Sequence, residues 1–134
     1  MVVFEGGESK PSEYRKFAIQ YVTGINDVGM MREVLARRLR HEEWSHPEAI
    51  VLDGGQGHVN MAEKLFSDFG VENIAILGVA KGPTRKKVDV YPSHDFPPSE
   101  KLITDRNFLE QLREEAHRFA ITYHRKRRGK TFIV

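Results

Sequence analysis

The sequence predicts an α/β fold: a mixed sheet with helices packed on it. Three observations carry this. Two short runs, Ala49 to Leu52 and Ile74 to Ala80, are apolar without alternation, as strands covered on both faces are. Between and around them the apolar residues recur at helical spacing. Near the N-terminus the period is two instead, at Phe17, Ile19 and Tyr21.

Val2 to Glu5 is an apolar run ended by Gly6-Gly7, with Pro11 soon after, which reads as a strand and a turn. The alternating stretch around Phe17 to Tyr21 predicts a second strand, antiparallel to the first. Asn26 and Asp27 then precede Met31, Val34, Leu35 and Leu39. An Asn or Asp before such a stripe is an N-cap signal, because its side-chain oxygen accepts a free backbone N–H. This helix is expected to end between His41 and Ser45, ahead of Pro47. The strand Ala49 to Leu52 follows, then a helix over Val59 to Phe69 with Ala62, Leu65, Phe66 and Phe69 on one face. Gly70 stands at its C′ position. With Ile74 to Ala80 this makes a strand–helix–strand unit of right-handed crossover length. Gly82 to Ser99 reads as irregular, with a short strand at Val88 to Tyr91. A last helix is expected from Asn107 to about His124, its stripe being Leu109, Leu112, Ala116, Phe119, Ala120 and Tyr123.

The 134 residues suit one domain with a core of its own, and no repeat, linker or low-complexity tract divides residues 1–134. Hydrophobic residues make up 40% and charged residues 30% of the chain, the balance of a globular protein in water. No apolar run reaches the ~20 residues of a membrane span, and MVVFEGGESK lacks the pattern of a signal peptide. There is no cysteine. That excludes thiolate chemistry, disulfides and Cys-based zinc sites, and it agrees with a cytoplasmic setting. The net charge is only +2, but six Lys or Arg and no acid lie between Arg118 and Lys130. Arg125, Lys126, Arg127 and Arg128 are consecutive. A polyanionic partner, nucleic acid above all, would account for this run; a solvated tail would account for it equally.

The stretch AIVLDGGQG carries the chemistry. In open α/β sheets, sites form beyond the carboxyl ends of the parallel strands, and Asp53 stands at such an end. Gly54 and Gly55 let the chain turn and leave room for a ligand. A hard divalent cation takes carboxylate oxygens together with water and phosphate oxygens, so Asp53 is a candidate metal ligand. Two alternatives stay open. Asp53 could cap the next helix or close an Asx turn, or GGQG could cradle a phosphate at the helix N-terminus, although its spacing matches no dinucleotide or P-loop pattern. Lys81 ends the second central strand at the same sheet edge and could hold a phosphate or be a solvated strand end. His117, in REEAHRF, flanks the apolar stripe of the last helix. A histidine there packs or hydrogen-bonds, or else moves a proton or ligates a metal near neutral pH. Arg37, Arg38 and Arg40 add basic surface.

VVFEGG, SEYRKFAI, NDVGMMREVLARR, IVLDGGQG, LGVAKG and REEAHRFAITYHRKRR together resemble, in order, the C-terminal endonuclease domain family of UvrC, the incision subunit of bacterial nucleotide excision repair. The pairing of DGG-x-G with E-A-H-R-F-A-I-T-Y-H-R is specific. The resemblance implies an RNase H-like fold and a nuclease dependent on Mg²⁺ or Mn²⁺ that cuts damaged double-stranded DNA 5′ to the lesion. By motif position it makes Asp53 the catalytic, metal-binding aspartate and His117 the catalytic histidine, with Asp27 a further catalytic carboxylate. Lys81, Arg118 and Arg125 to Arg128 are then expected to contact nucleic acid.

The same resemblance places another aspartate on a strand ahead of VVFEGG, so this chain is expected to lack the first strand of the sheet and one metal ligand. It also places the UvrB contact and a helix-hairpin-helix module outside the chain. Two residues depart from the family's usual choice: His58 in place of Gln and Glu114 in place of Asp. With Asp53 alone, metal affinity is expected to be poor and the isolated fragment weak or inactive. The competing expectation is a DNA-binding module without chemistry of its own.

Overall fold

The computed structural model describes residues 4–5, 8–9, 11–13, 27–41, 43, 47–81 and 88–118. They fall into two compact units, Ile19–Arg106 and a unit formed by Met1–Ala18 with Asn107–Val134. The mixed α/β architecture predicted from the sequence is present.

The larger unit holds a three-stranded sheet. Numbering strands and helices along the whole chain, β1 (Phe4–Glu5) and β2 (Glu8–Ser9) belong to the smaller unit, and α1 (Asp27–Arg40), β3 (Ala49–Asp53), α2 (Gln56–Phe69), β4 (Ala75–Lys81), β5 (Val88–Pro92) and α3 (Glu100–Thr104) to the larger. The strand order is β3-β4-β5. β3 and β4 run parallel, with Ile50 opposite Ile76, Leu52 opposite Gly78 and Asp53 opposite Val79. β5 returns antiparallel, with Gly78 opposite Tyr91 and Lys81 opposite Val88. The sheet is therefore mixed, as expected. β4 is its central strand and β3 an edge among the described residues. This agrees with burial: Ile76 to Val79 are all buried, whereas Leu52 alone of β3 is.

The core forms where the two helical stripes meet one face of this sheet. Leu35, Ala36 and Leu39 of α1 join Val59, Ala62, Leu65 and Phe66 of α2, Leu52 of β3, and Ile74 and Ile76. Phe66 is fully buried and meets Phe96 edge-on, ring centres 5.3 Å apart. Burying a side chain of this size stabilises by roughly 2–3 kcal/mol. Side chains alternate across a strand, so Ile50, Leu52, Ile76 and Gly78 face this core. Val51, Asp53, Leu77 and Val79 lie on the other face.

Helix α2 ends for a visible reason. Gly70 adopts φ +69°, the left-handed conformation, and its N–H and that of Val71 return to Ser67 and Phe66 carbonyls, as expected for the C′ glycine. At the same end of the pair, the Arg40 guanidinium lies over the Phe69 ring, 6.0 Å from its centre. Phe69 is the one large apolar side chain left exposed among the described residues. After β5 the chain makes a turn that stays bound to β4: Ser93 N–H donates to Ile76 O, and Ile76 N–H donates to Phe96 O. Arg106 then fastens β5 by donating to the Val88 carbonyl.

In the smaller unit Phe4 pairs with Ser9 and Glu5 with Glu8, a hairpin tighter than the sequence predicts. A single turn of 3₁₀ helix spans Pro11–Glu13. The strand expected at Phe17 to Tyr21 lies outside the described residues. Residues 106–118 are helical, as expected, with Leu109 fully buried. Phe4 meets Phe108 edge-on at 5.8 Å. The remainder of the expected last helix is outside the described residues, and so are Arg125, Lys126, Arg127 and Arg128. No helix among the described residues is long and apolar enough to cross a membrane.

Candidate active site at the end of β3

The carboxylate that the sequence singles out is the last residue of β3. Asp53 is half-buried, and parallel pairing fixes its Cα opposite Val79. The chain then leaves the strand through Gly54. The Gly54 N–H donates to Val79 O at 2.8 Å and is shared with Leu52 O at 3.0 Å. The turn that follows Asp53 is thus tied to the backbone of the central strand.

The glycines serve close approach rather than an unusual backbone angle. Gly70 is the only positive-φ glycine among the described residues. A Cβ on Gly54 would fall 2.3 Å from the His58 ring, which lies directly over the Gly54 α-carbon. At Gly55 a Cβ would meet the Tyr91 ring at 3.7 Å, an ordinary contact. Gly54 is therefore the more demanding of the two. The sequence suggests that both glycines turn the chain and leave room for a ligand; at Gly54 the room is taken by the His58 ring.

Beneath the turn lies Gly78 of β4. A Cβ there would stand 2.7 Å from the Gly54 carbonyl oxygen, 2.7 Å from Val59 Cγ2 and 3.4 Å from the Gly55 carbonyl. The sequence does not single out Gly78, and it marks His58 only as standing where the family usually has Gln. The signal for Gly78 was present, since a glycine inside an apolar strand marks a close backbone approach. Nothing local in the sequence announces that His58, in the first turn of α2, covers Gly54.

α2 begins at Gln56, three residues earlier than its apolar stripe. Its N-cap is Gly55, in extended conformation and with no side-chain cap bond. Asp53 therefore does not occupy the N-cap position of this helix, standing two residues ahead of it. Asp27 is the first residue of α1, as the sequence suggests. Lys81 ends β4, exposed, two residues beyond the partner of Asp53, so the two share one edge of the sheet. His117 and Arg118 lie on the 106–118 helix of the smaller unit, both exposed, and Arg118 donates to Glu115 one turn back. Arg37 pairs with the buried Glu33 of α1 at 3.6 Å rather than adding simple solvated charge.

A hard cation asks for oxygen donors, and Asp53 supplies one at a half-buried strand end. Among the described residues no group of three His, Cys, Asp or Glu side chains gathers to hold a metal ion. Asp53 therefore fits a cation held partly by water and phosphate, the usual manner of Mg²⁺.

Comparison with known proteins agrees with the geometry. A family model described as the UvrC RNase H endonuclease domain matches residues 1–121. The UvrABC system protein C of Bdellovibrio bacteriovorus is 41% identical over 144 residues, covering 98% of this chain and 23% of its own. That of Legionella pneumophila is 38% identical, covering 98% of this chain and 22% of its own. That of Chlorobium chlorochromatii is 44% identical, covering 96% of this chain and 20% of its own. The chain thus spans about a fifth to a quarter of the length of these relatives. With most of its length matched by the family model, the chain belongs to the UvrC RNase H endonuclease domain family.

Proposed function

We propose that this chain is the nuclease domain of a cytoplasmic excision-repair protein. It hydrolyses a phosphodiester of damaged double-stranded DNA on the 5′ side of the lesion, in concert with UvrB. The observation that supports this best is the setting of Asp53. A carboxylate sits at the carboxyl end of a strand in a parallel pair, its turn bound to the central strand, in a member of an endonuclease family.

In this reading Asp53 holds Mg²⁺ or Mn²⁺, and residues 1–134 act as one domain. When bound, the cation supplies Lewis-acid polarisation of the phosphodiester. His117 holds or delivers a proton from a ring nitrogen. Asp27 supports from the start of α1. Lys81, Arg118 and the run Arg125 to Arg128 hold the DNA backbone through phosphate contacts, which position without reading sequence.

The test is Asp53→Ala in the full-length protein, with incision of a lesion-bearing duplex and binding to it measured side by side. Loss of one ligand to a catalytic cation is worth several kcal/mol of transition-state stabilisation, on the order of 1000-fold in rate. Incision should fall by that much with DNA affinity unchanged. Full incision by the variant would remove Asp53 from the reaction.

A further inference from the structure

We propose that Gly78 is a positioning residue for Asp53: its missing side chain sets the depth at which the turn after Asp53 rests on the sheet. This deepens the reading of Asp53 as a ligand and rests on it. The central strand carries a glycine where a packed side chain is the norm. β4 reads AILGVAK and is the central strand, buried from Ile76 through Val79. Glycine weakens a strand interior and leaves nothing to pack. The space that a side chain would take is filled instead by the Gly54 carbonyl oxygen and by Val59, each 2.7 Å from where a Cβ would be.

These two neighbours differ in how they can respond. Val59 is a side chain on α2, and a small shift of that helix relieves it. The Gly54 oxygen is main chain. Its peptide, Gly54–Gly55, lies one residue past Asp53, and the amide N–H of Gly54, in the peptide that directly follows Asp53, is anchored to Val79 O at 2.8 Å. Gly54 is thus gripped by β4 at two successive residues, its N–H at Val79 and its carbonyl over Gly78. The His58 ring closes the remaining side. A methyl at position 78 must lift the carbonyl, and the lift tilts the Cα of Asp53. Displacements of about 1 Å at a reacting centre cost up to ~100-fold in rate.

The experiment compares Gly78→Ala, Val59→Ala, their double variant and Asp53→Asn in the full-length protein. Three quantities are read: Mn²⁺ binding by calorimetry, incision of a lesion-bearing duplex, and the urea midpoint. Gly78→Ala is expected to weaken Mn²⁺ binding about 10-fold and incision roughly 100-fold. In the Val59→Ala background it should no longer lower the urea midpoint, yet should still weaken binding and incision. Parental Mn²⁺ binding and incision in Gly78→Ala, beside an inactive Asp53→Asn, would overturn the proposal alone. So would recovery of both properties on adding Val59→Ala, or failure of both Gly78 variants to fold, since either assigns Gly78 to helix packing. Retention of Mn²⁺ binding and incision by Asp53→Asn would overturn the ligand reading and this proposal with it.

Discussion

Ser93 donates from Oγ to Oε1 of Glu63 at 2.8 Å, joining the turn after β5 to the middle of α2. The same hydroxyl oxygen accepts the Phe96 N–H at 2.9 Å. Ser93 is buried, so Ser93→Ala strips partners from two groups at once. Leaving a buried polar group unpaired costs about 1–3 kcal/mol. Urea unfolding of Ser93→Ala should show a loss of roughly 2 kcal/mol; a change within the ~0.5 kcal/mol expected of a surface substitution would mean that water replaces both bonds.

Glu43 gives a pH signature. Its carboxylate lies 2.6 Å from His41 Nδ1. That hydrogen bond, aided by one to its own backbone, holds the Glu43 carboxyl below its usual range. A depressed carboxylate contributes stability that is present above its unfolded pKa of ~4.3 and is lost as pH falls through the lower native value. An NMR titration should find the Glu43 midpoint below that of ordinary glutamates. His41→Ala should return it, and an unmoved midpoint would assign the shift to the backbone instead.

DNA binding should be steeply salt-dependent. Each phosphate contact adds about 0.9 to the slope of log affinity against log salt. Replacing Arg125, Lys126, Arg127 and Arg128 with Gln should lower that slope by up to about 4, and Lys81→Gln by about 1. An unchanged slope in the quadruple variant would leave the basic run as solvated charge.

Most of the fold was legible because each signal had a local cause. The stripe Met31, Val34, Leu35, Leu39 gave α1, whose observed end at Arg40 falls one residue short of the expected range. Gly70 stopped α2 because its left-handed conformation excludes most other residues. Apolar runs gave β3 and β4, but composition does not say which strand lies in the middle; only register, with β4 paired on both sides, does. The two-residue strands β1 and β2 and the five-residue α3 are too short for any period to appear.

At the site the balance is similar. Asp53 was legible from the break of an apolar run into D-G-G. Its surroundings were not, because they come from elements distant in sequence. Gly78 reaches Gly54 of the turn from 24 residues away through strand register, and Tyr91 reaches Gly55 from β5. The bond between Ser93 and Glu63 is likewise a product of the folded chain.

The stacking of Arg40 on Phe69 bears on how the protein behaves in concentrated solution. An exposed aromatic ring at the tips of two helices leaves apolar area open to water. A flat guanidinium shields that ring while keeping a charge in water, which a lysine ammonium does less well. The Arg40 side chain thus sets how much of that ring other molecules meet.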